Sequence, residues 1–228
     1  MYELLLKNWK QKKQQKKKFH VFSFINNTIS NLYNNFNIDF IRFDLKEFSK
    51  CYSFKSRSNI KSDDFITLIK NYHKNSNVLF TVDIPLSDLF EGDKLSINRI
   101  ISFYRESNAD LLIIDFNYIT LDIINRVSLL KIPIIINIEC RDPLDNNYLQ
   151  LSYSKLLELE SAGILMIILE DFPSNFVENI KNNTIVPVIS NQIKDKGDGF
   201  YGQFSKIFGL ERGIENNYAS SEGRSDKI

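Results

Sequence analysis

Four acidic residues that directly follow short apolar segments are the best candidates for chemistry in this chain: Asp44, Asp83, Asp115 and Glu170. A carboxylate in such a position is costly to desolvate unless it is paired or binds a cation. Carboxylates gathered with few basic neighbours suit a hard divalent ion such as Mg²⁺, which keeps waters and substrate oxygens as further ligands. Capping of the following helix explains any one of these acids equally well, but four on separate segments favour a shared site.

The apolar segments are short and uninterrupted, which is typical of parallel strands buried on both faces. We predict seven strands and a weaker eighth, at residues 20–24, 39–43, 78–82, 111–114, 134–138, 165–169, 186–189 and 200–204. Helical segments lie between them, for example one that begins after Ser62, one carrying the stripe Ile97 to Tyr104, and one over 148–161 that Gly163 ends.

This alternation predicts an α/β fold, a (β/α)8 TIM-type barrel with a leading basic helix, and an open doubly wound sheet is the alternative. In such barrels the active site lies at the carboxyl ends of the strands. The four acids are therefore expected to meet at one mouth of the barrel.

The 228 residues carry a formal net charge of +1, which gives no overall bias toward nucleic acid or membrane. Seven lysines between residues 7 and 18 predict a basic helix over 1–18, packed outside a barrel over 19–210, with a disordered tail over 211–228. We interpret the lysines as a solvated helix face, and nucleic-acid binding is the alternative. No apolar run reaches the ~20 residues that span a bilayer, and Cys51 and Cys140 form no disulfide framework, so we expect a cytoplasmic protein.

Several short motifs follow one another in order along residues 4–210. They are the lysine-rich opening at 5–10, Phe43-Asp44-Leu45, Val82-Asp83-Ile84-Pro85-Leu86, the segments 108–115, 132–137, 159–163 and 168–173, and the stretch 186–210. In this combination the chain resembles the ketopantoate hydroxymethyltransferase (3-methyl-2-oxobutanoate hydroxymethyltransferase) family. The segment Val82–Leu86, similar to that family's Ala-Asp-Met/Leu-Pro-Phe, is the most specific match.

The resemblance implies an aldol-type transfer in pantothenate biosynthesis, the route to coenzyme A. In that family Mg²⁺ chelates 3-methyl-2-oxobutanoate, and the enolate attacks the one-carbon unit of 5,10-methylenetetrahydrofolate. Carried over by position, Asp44 and Asp83 bind both metal and substrate, Asp115 supports the metal shell, and Glu170 is the catalytic acid/base. The family also implies a homo-oligomer whose partners are a small 2-oxo acid and a folate, with no membrane or nucleic acid.

Three positions within this implied site depart from the family pattern. The substrate-binding Ser of the family is Leu45 here, its Lys is Ile113, and its His is Asn137. Loss of a cation that pairs with a substrate carboxylate typically costs ~2–5 kcal/mol, so Arg42 or Arg141 would have to compensate near the mouth.

These departures leave two alternatives. One is a non-catalytic barrel of the same family that serves as a structural or assembly subunit. The other is a lyase or mutase barrel of the phosphoenolpyruvate-mutase type, which we disfavour because neither Cys51 nor Cys140 lies in that family's Lys-Lys-Cys-Gly-His context.

Overall fold

The computed structural model describes residues 2–23, 38–43, 78–83, 90–91, 94–192 and 196–203. Several predictions fall elsewhere in the chain. The helix after Ser62, the tail over 211–228 and the candidate ligand Asp44, with its neighbour Leu45, lie outside the described residues.

Eight parallel strands close into a barrel, as predicted. The strands are β1 Phe19–Ser23, β2 Phe40–Phe43, β3 Leu79–Asp83, β6 Leu111–Asp115, β7 Ile134–Glu139, β8 Met166–Glu170, β9 Val188–Ser190 and β10 Gly199–Gln203; β4 Phe90–Glu91 and β5 Lys94–Leu95 form a separate antiparallel pair. Around the barrel the order is β1-β10-β9-β8-β7-β6-β3-β2. Because β1 pairs with both β10 and β2, the sheet has no free edge, and the open-sheet alternative is excluded.

Side chains alternate along each strand between the barrel interior and the surrounding helices. The interior cluster is built from large apolar residues: Phe19, Val21, Phe40, Leu111, Ile113, Ile135, Met166, Ile168 and Ile189. The alternate positions, such as Ile41, Val82 and Leu112, pack in a second cluster with the helices. Burial on both faces explains why the strands read as uninterrupted apolar runs.

The helices of the outer layer are α2 Ile97–Ser107, α3 Leu121–Leu129, α4 Asn146–Ser161 and α5 Ser174–Asn183. Thr120 caps α3 by accepting a hydrogen bond from the backbone N–H of Ile123. Asp145 caps α4 in the same way, and the helix begins at Asn146, two residues ahead of the predicted start. Gly163 follows α4 with φ 102°, a backbone conformation that L side chains rarely adopt, so the predicted stop is confirmed.

The leading helix α1, Tyr2–Gln14, closes the amino end of the barrel rather than packing on its outer wall. Leu5 and Trp9 are buried in the interior cluster, where the Trp9 ring stacks on Phe40 at 5.6 Å between centroids. Lys13 anchors the far end of the helix to the segment after α5. Three of the seven lysines, Lys12, Lys13 and Lys18, therefore serve contacts within the chain. None of the described helices is long and apolar enough to cross a membrane.

Candidate functional site at the barrel mouth

The alternation of side chains places a set of polar residues on the inner face at the carboxyl ends of the strands. Arg42 lies two residues after the interior Phe40, and Asp83 follows the inward positions Leu79 and Thr81 in β3. By the same period, Asp115, Asn137 and Glu170 follow the interior residues Ile113, Ile135 and Ile168. Apolar layers therefore fill the barrel up to the point where these polar side chains begin.

Arg42 is the centre of this set. Arg42 is only 4% exposed. Its side chain reaches across the barrel from β2 to β8, which lies four strands away around the ring. The Nε and Nη2 groups donate to the Asp83 carboxylate, with Nη2 2.7 Å from Oδ2. Nη1 donates to Glu170 Oε1 at 2.6 Å and to Asn137 Oδ1 at 3.3 Å. One guanidinium thus joins residues from four strands and forms the floor of the mouth.

The ring of Tyr201 in β10 completes the enclosure of this guanidinium, since the Arg42 Cζ lies 4.7 Å from the ring centroid. A cation over an aromatic face is attracted by the negative charge density of the ring. Burial by itself acts to lower the pKa of Arg42, but the Asp83 carboxylate, Tyr201 and the Glu170 carboxylate outweigh it and hold that pKa well above its ordinary value. Arg42 is therefore a permanent positive charge.

The two acids that flank Arg42 are only partly buried. The side chain of Asp83 is 20% exposed and that of Glu170 is 21% exposed. Both oxygens of Asp83 accept from Arg42. Glu170 accepts through Oε1 alone, and its Oε2 accepts no hydrogen bond from the described part of the chain. Glu170 therefore has one oxygen held by the arginine and another that accepts no hydrogen bond from the described residues.

The chain directly after Glu170 is held in one conformation by a reciprocal pair of hydrogen bonds. Asp171 adopts φ 61°, and its N–H donates to Asn191 Oδ1 at 3.0 Å. The Asn191 side chain returns a hydrogen bond to Asp171 Oδ1 at 3.0 Å. Since the Glu170 carbonyl also accepts from the Cys140 N–H of the neighbouring strand end, the backbone that carries the acid is fixed on both sides.

Asp115 does not join the cluster around Arg42. Its Oδ1 accepts from the backbone N–H and the side-chain amide of Asn117, each at 2.8 Å. This is a turn motif in which an aspartate satisfies the backbone two residues on. Nearby, Lys155 donates to the carbonyl of Phe116 and lies over that residue's ring. Asp115 is therefore engaged locally, although it occupies an inward position at the strand end.

The described residues do not fit a Mg²⁺ ion at this mouth. They contain no group of three His, Cys, Asp or Glu side chains placed to hold a metal, and Asp83 already gives both of its oxygens to Arg42. Two unit charges 4 Å apart repel by about 4 kcal/mol at an effective dielectric of 20. A divalent ion beside the guanidinium would meet about twice that repulsion. The Mg²⁺ ligand set predicted from Asp44, Asp83 and Asp115 therefore stays a prediction that depends on Asp44.

One buried polar atom next to Arg42 in the strand register makes no hydrogen bond within the described part of the chain. Thr81 is fully buried, and within the described residues its Oγ1 is the buried side-chain atom that makes no hydrogen bond. It is paired with Arg42 in the register between β2 and β3, so both residues point into the barrel. A buried hydroxyl without a hydrogen bond is costly. Thr81 and Arg42 together place two polar side chains inside the barrel at this level.

Arg42 had a sequence signal, because it is a charged residue within the apolar run Phe40–Phe43. From the sequence alone it is only a possible compensating cation, together with Arg141. The structure separates the two, since Arg141 is exposed beyond β7 whereas Arg42 is buried at the centre of the mouth. Asn137, named as the replacement of a family His, is also part of the cluster.

The fold and this mouth define the class of protein, a closed (β/α)8 barrel with a charged cluster at the carboxyl ends of its strands. No protein-family model matches the chain, and no curated protein matches it.

Solved structures do match it. A phosphonopyruvate hydrolase in complex with oxalate and Mg²⁺ has a TM-score of 0.66 at 12% identity, covering 90% of this chain and 83% of that one. A 2,3-dimethylmalate lyase of the PEP mutase/isocitrate lyase superfamily has a TM-score of 0.57 at 11% identity, with coverages of 90% and 83%. A 3-dehydroquinate dehydratase from Geobacillus kaustophilus has a TM-score of 0.59 at 8% identity, with coverages of 82% and 82%. At such identities the similarity establishes the barrel fold alone.

Proposed function

We propose that this chain is an enzyme that removes or adds a proton next to the carbonyl of a small 2-oxo acid, with Glu170 as the proton carrier. The observation that carries the proposal is the division of roles at the mouth. Arg42 holds Oε1 of Glu170 and both oxygens of Asp83, while Oε2 of Glu170 accepts no hydrogen bond from the described residues. A carboxylate positioned in this way is a candidate general base.

The place of the cluster supports the same function. Active sites of TIM-type barrels lie at the carboxyl ends of the strands, and each residue of the cluster projects from such an end. Two of the structural neighbours are named for phosphonopyruvate and 2,3-dimethylmalate, which are both small carboxylic acids. One neighbour was solved with oxalate, a small dianion with adjacent carboxylates. An anionic substrate of this size suits a mouth whose floor is a permanently charged arginine.

The chemistry follows from what each side chain can do. Of the five N–H groups of a guanidinium, the bonds of Arg42 to Asp83, Glu170 and Asn137 use four, and the remaining N–H on Nη2 has no acceptor among the described residues. That group can receive an oxygen of a bound anion. Glu170 Oε2 can then accept the proton from the carbon beside the carbonyl, and the positive charge at the floor stabilises the enolate that results.

The finer assignment within this class comes from the sequence resemblance, which implies 3-methyl-2-oxobutanoate as the 2-oxo acid and 5,10-methylenetetrahydrofolate as the donor of the hydroxymethyl carbon. We propose this pair as the first substrates to test. Mg²⁺ is the metal that the same resemblance implies, and no step above depends on it.

Exchange of the C3 proton of 3-methyl-2-oxobutanoate in D₂O, followed by NMR, tests the proposal without the folate. We expect exchange that increases in proportion to protein concentration and stops when the protein is heat-denatured. Absence of exchange at high concentration, with and without Mg²⁺, would reject an enzyme for this acid. Addition of 5,10-methylenetetrahydrofolate then shows whether the hydroxymethylated product forms.

A non-catalytic barrel is the second candidate, and one observation favours it. Arg42 satisfies both acids at once, which is also the arrangement of a purely structural ion-pair network. The two candidates differ in the exchange experiment: a structural barrel gives a folded protein with no exchange.

A further inference from the structure

The side chains around Arg42 are oxygen donors of the kind that hard cations prefer. Asp83 and Glu170 supply carboxylate oxygens, and Asn137 supplies an amide oxygen, all directed at one guanidinium. Mg²⁺ takes the same carboxylate and carbonyl oxygens in proteins. We call these three side chains, Asp83, Asn137 and Glu170, the oxygen cage. The cation that they surround is the guanidinium of Arg42, a side chain of the protein itself.

We infer that Arg42 is a built-in cation that takes the place of a divalent metal, so that the mouth binds a carboxylate ligand without metal. The inference rests on the proposed function for the class of ligand. For the cation it rests on the geometry alone, since three oxygen-bearing side chains from three different strands meet at the guanidinium.

The guanidinium is held too firmly to make room for a metal. Arg42 is 4% exposed, its charge is shared by Asp83 and Glu170, and the Tyr201 ring lies against its Cζ. Withdrawal of Arg42 would leave two carboxylates facing each other across the barrel without a cation, a costly arrangement in a partly buried site. We therefore expect an anionic ligand to bind to the Arg42 guanidinium without displacing it.

Thr81 provides a second, independent observation. Its hydroxyl is buried and has no partner among the described residues, and it lies beside Arg42 in the β2–β3 register. Removal of the Arg42 side chain would connect this hydroxyl to the space between Asp83 and Glu170. The emptied space would then be bordered by two carboxylates and an amide oxygen, with the Thr81 hydroxyl beside it in the strand register. We expect this arrangement to bind a divalent cation.

Electron paramagnetic resonance of Mn²⁺ titrated into the protein tests the inference. We expect Arg42→Ala to bind one Mn²⁺ at the mouth at least about tenfold more tightly than the wild type does, a difference of at least about 1.4 kcal/mol. Arg126→Ala is the matched control, because Arg126 pairs with Asp122 on the exposed surface. The double variant Arg42→Ala/Asp83→Asn should lose the new site. A folded Arg42→Ala protein that binds no Mn²⁺ would overturn the inference.

If Arg42→Ala does not fold, ligand binding by the wild-type protein still tests the inference. Calorimetric titration of oxalate into the EDTA-treated wild type should give a Kd within about twofold of that measured with Mg²⁺. A wild type that binds Mn²⁺ at a site abolished by Asp83→Asn contradicts the inference, as does oxalate binding that requires Mg²⁺. If oxalate binds in neither condition, the assignment of a carboxylate ligand is wrong.

These outcomes separate the inference from the proposed function. A wild type without C3 exchange, but with the expected Mn²⁺ results, loses the proposed reaction and keeps Arg42 as the internal cation. A wild type that catalyses exchange only with Mg²⁺ bound at Asp83 keeps the reaction and loses the internal cation.

Discussion

Arg42 donates hydrogen bonds to two acids at the barrel mouth, but to a different number of oxygens on each. Asp83 receives the guanidinium on both oxygens, whereas Glu170 receives it on Oε1 only. An acid bound on both oxygens can position a ligand or hold a charge, but it has less capacity to take up a proton. At the scale of single residues, this difference is the reason that we propose proton transfer for Glu170 and a structural or binding role for Asp83.

Substitution of Glu170 tests this assignment. Glu170→Gln keeps an oxygen for Arg42 and removes the proton acceptor, so we expect C3 exchange to fall by about 100-fold or more, the usual contribution of a general base. Glu139→Gln is the matched control, because Glu139 is the neighbouring exposed acid in register with Glu170. Equal rates for the two variants, both with wild-type melting curves, would remove Glu170 from the reaction.

Cys140, just beyond β7, gives a prediction about pH. Burial raises the pKa of its thiol; a backbone hydrogen bond at Asp142 acts in the opposite direction, and the Asp142 and Asp171 carboxylates raise the pKa further. Since the thiolate is the reactive form, alkylation of Cys140 should increase with pH over a range higher than that of a free cysteine. The rate of iodoacetamide labelling against pH in a Cys51→Ser protein measures this. A rate that levels off at neutral pH would contradict it.

Helix α1 shows how one element can close a barrel. Its buried residues Leu5 and Trp9 enter the interior cluster, and its far end is fixed by Lys13. The Lys13 ammonium donates to the carbonyls of Lys181, Thr184 and Val186 and lies 3.2 Å from Asp198 Oδ2. The basic character of the helix therefore has a structural use at this position.

The contribution of Lys13 can be measured by substitution. Lys13→Met removes the donor that three carbonyls share and the cation beside Asp198, whose carboxylate keeps only the Val188 N–H and the more distant Lys181 among the described residues. We expect the free energy of unfolding to fall by about 1.5–3 kcal/mol. Lys7→Met in the exposed part of the same helix should change it by less than about 0.5 kcal/mol. Urea denaturation of both variants gives the comparison. Similar values for the two would show that α1 is not anchored through Lys13.

At the scale of the whole molecule, helix α1 plugs the amino end of the closed barrel, and the two pack as one unit. Trp9 is the single tryptophan of the chain and is 5% exposed. It contacts interior residues of two adjacent strands, with its ring stacked on Phe40 and edge-on to Phe19. Loss of the plug would open the interior to water, so helix docking and barrel closure should occur together.

Tryptophan fluorescence tests this coupling. We expect Trp9 of the native protein to be shielded from acrylamide, and its emission to shift in the same thermal or urea transition that removes the circular dichroism signal. Coincident transitions are the mark of a two-state unit. Exposure of Trp9 before the loss of secondary structure would show that α1 detaches separately; a Phe40→Leu variant, which weakens the stack, would then detach earlier still.

The sequence alone determined the barrel. Its eight strands were found from short apolar runs, because both faces of a parallel strand are buried and the signal lies within five or so adjacent residues. The stop at Gly163 and the helix over 97–104 were likewise local patterns. Placement of Glu170, Asp83 and Asn137 at one mouth followed from the rule for strand ends in such barrels.

The contacts at the mouth were decided only by the tertiary structure. Arg42 meets Glu170 across 128 residues of chain, and the meeting depends on closure of the ring, which puts β2 opposite β8. No local pattern carries that information, so the four acids alone suggested a metal. Asp115 instead accepts a hydrogen bond from Asn117 in a turn just after its strand. The periodicity of the strand gives no information about that turn. The sequence determined which residues reach the mouth, and the closed barrel decided that a side-chain cation joins Asp83 and Glu170.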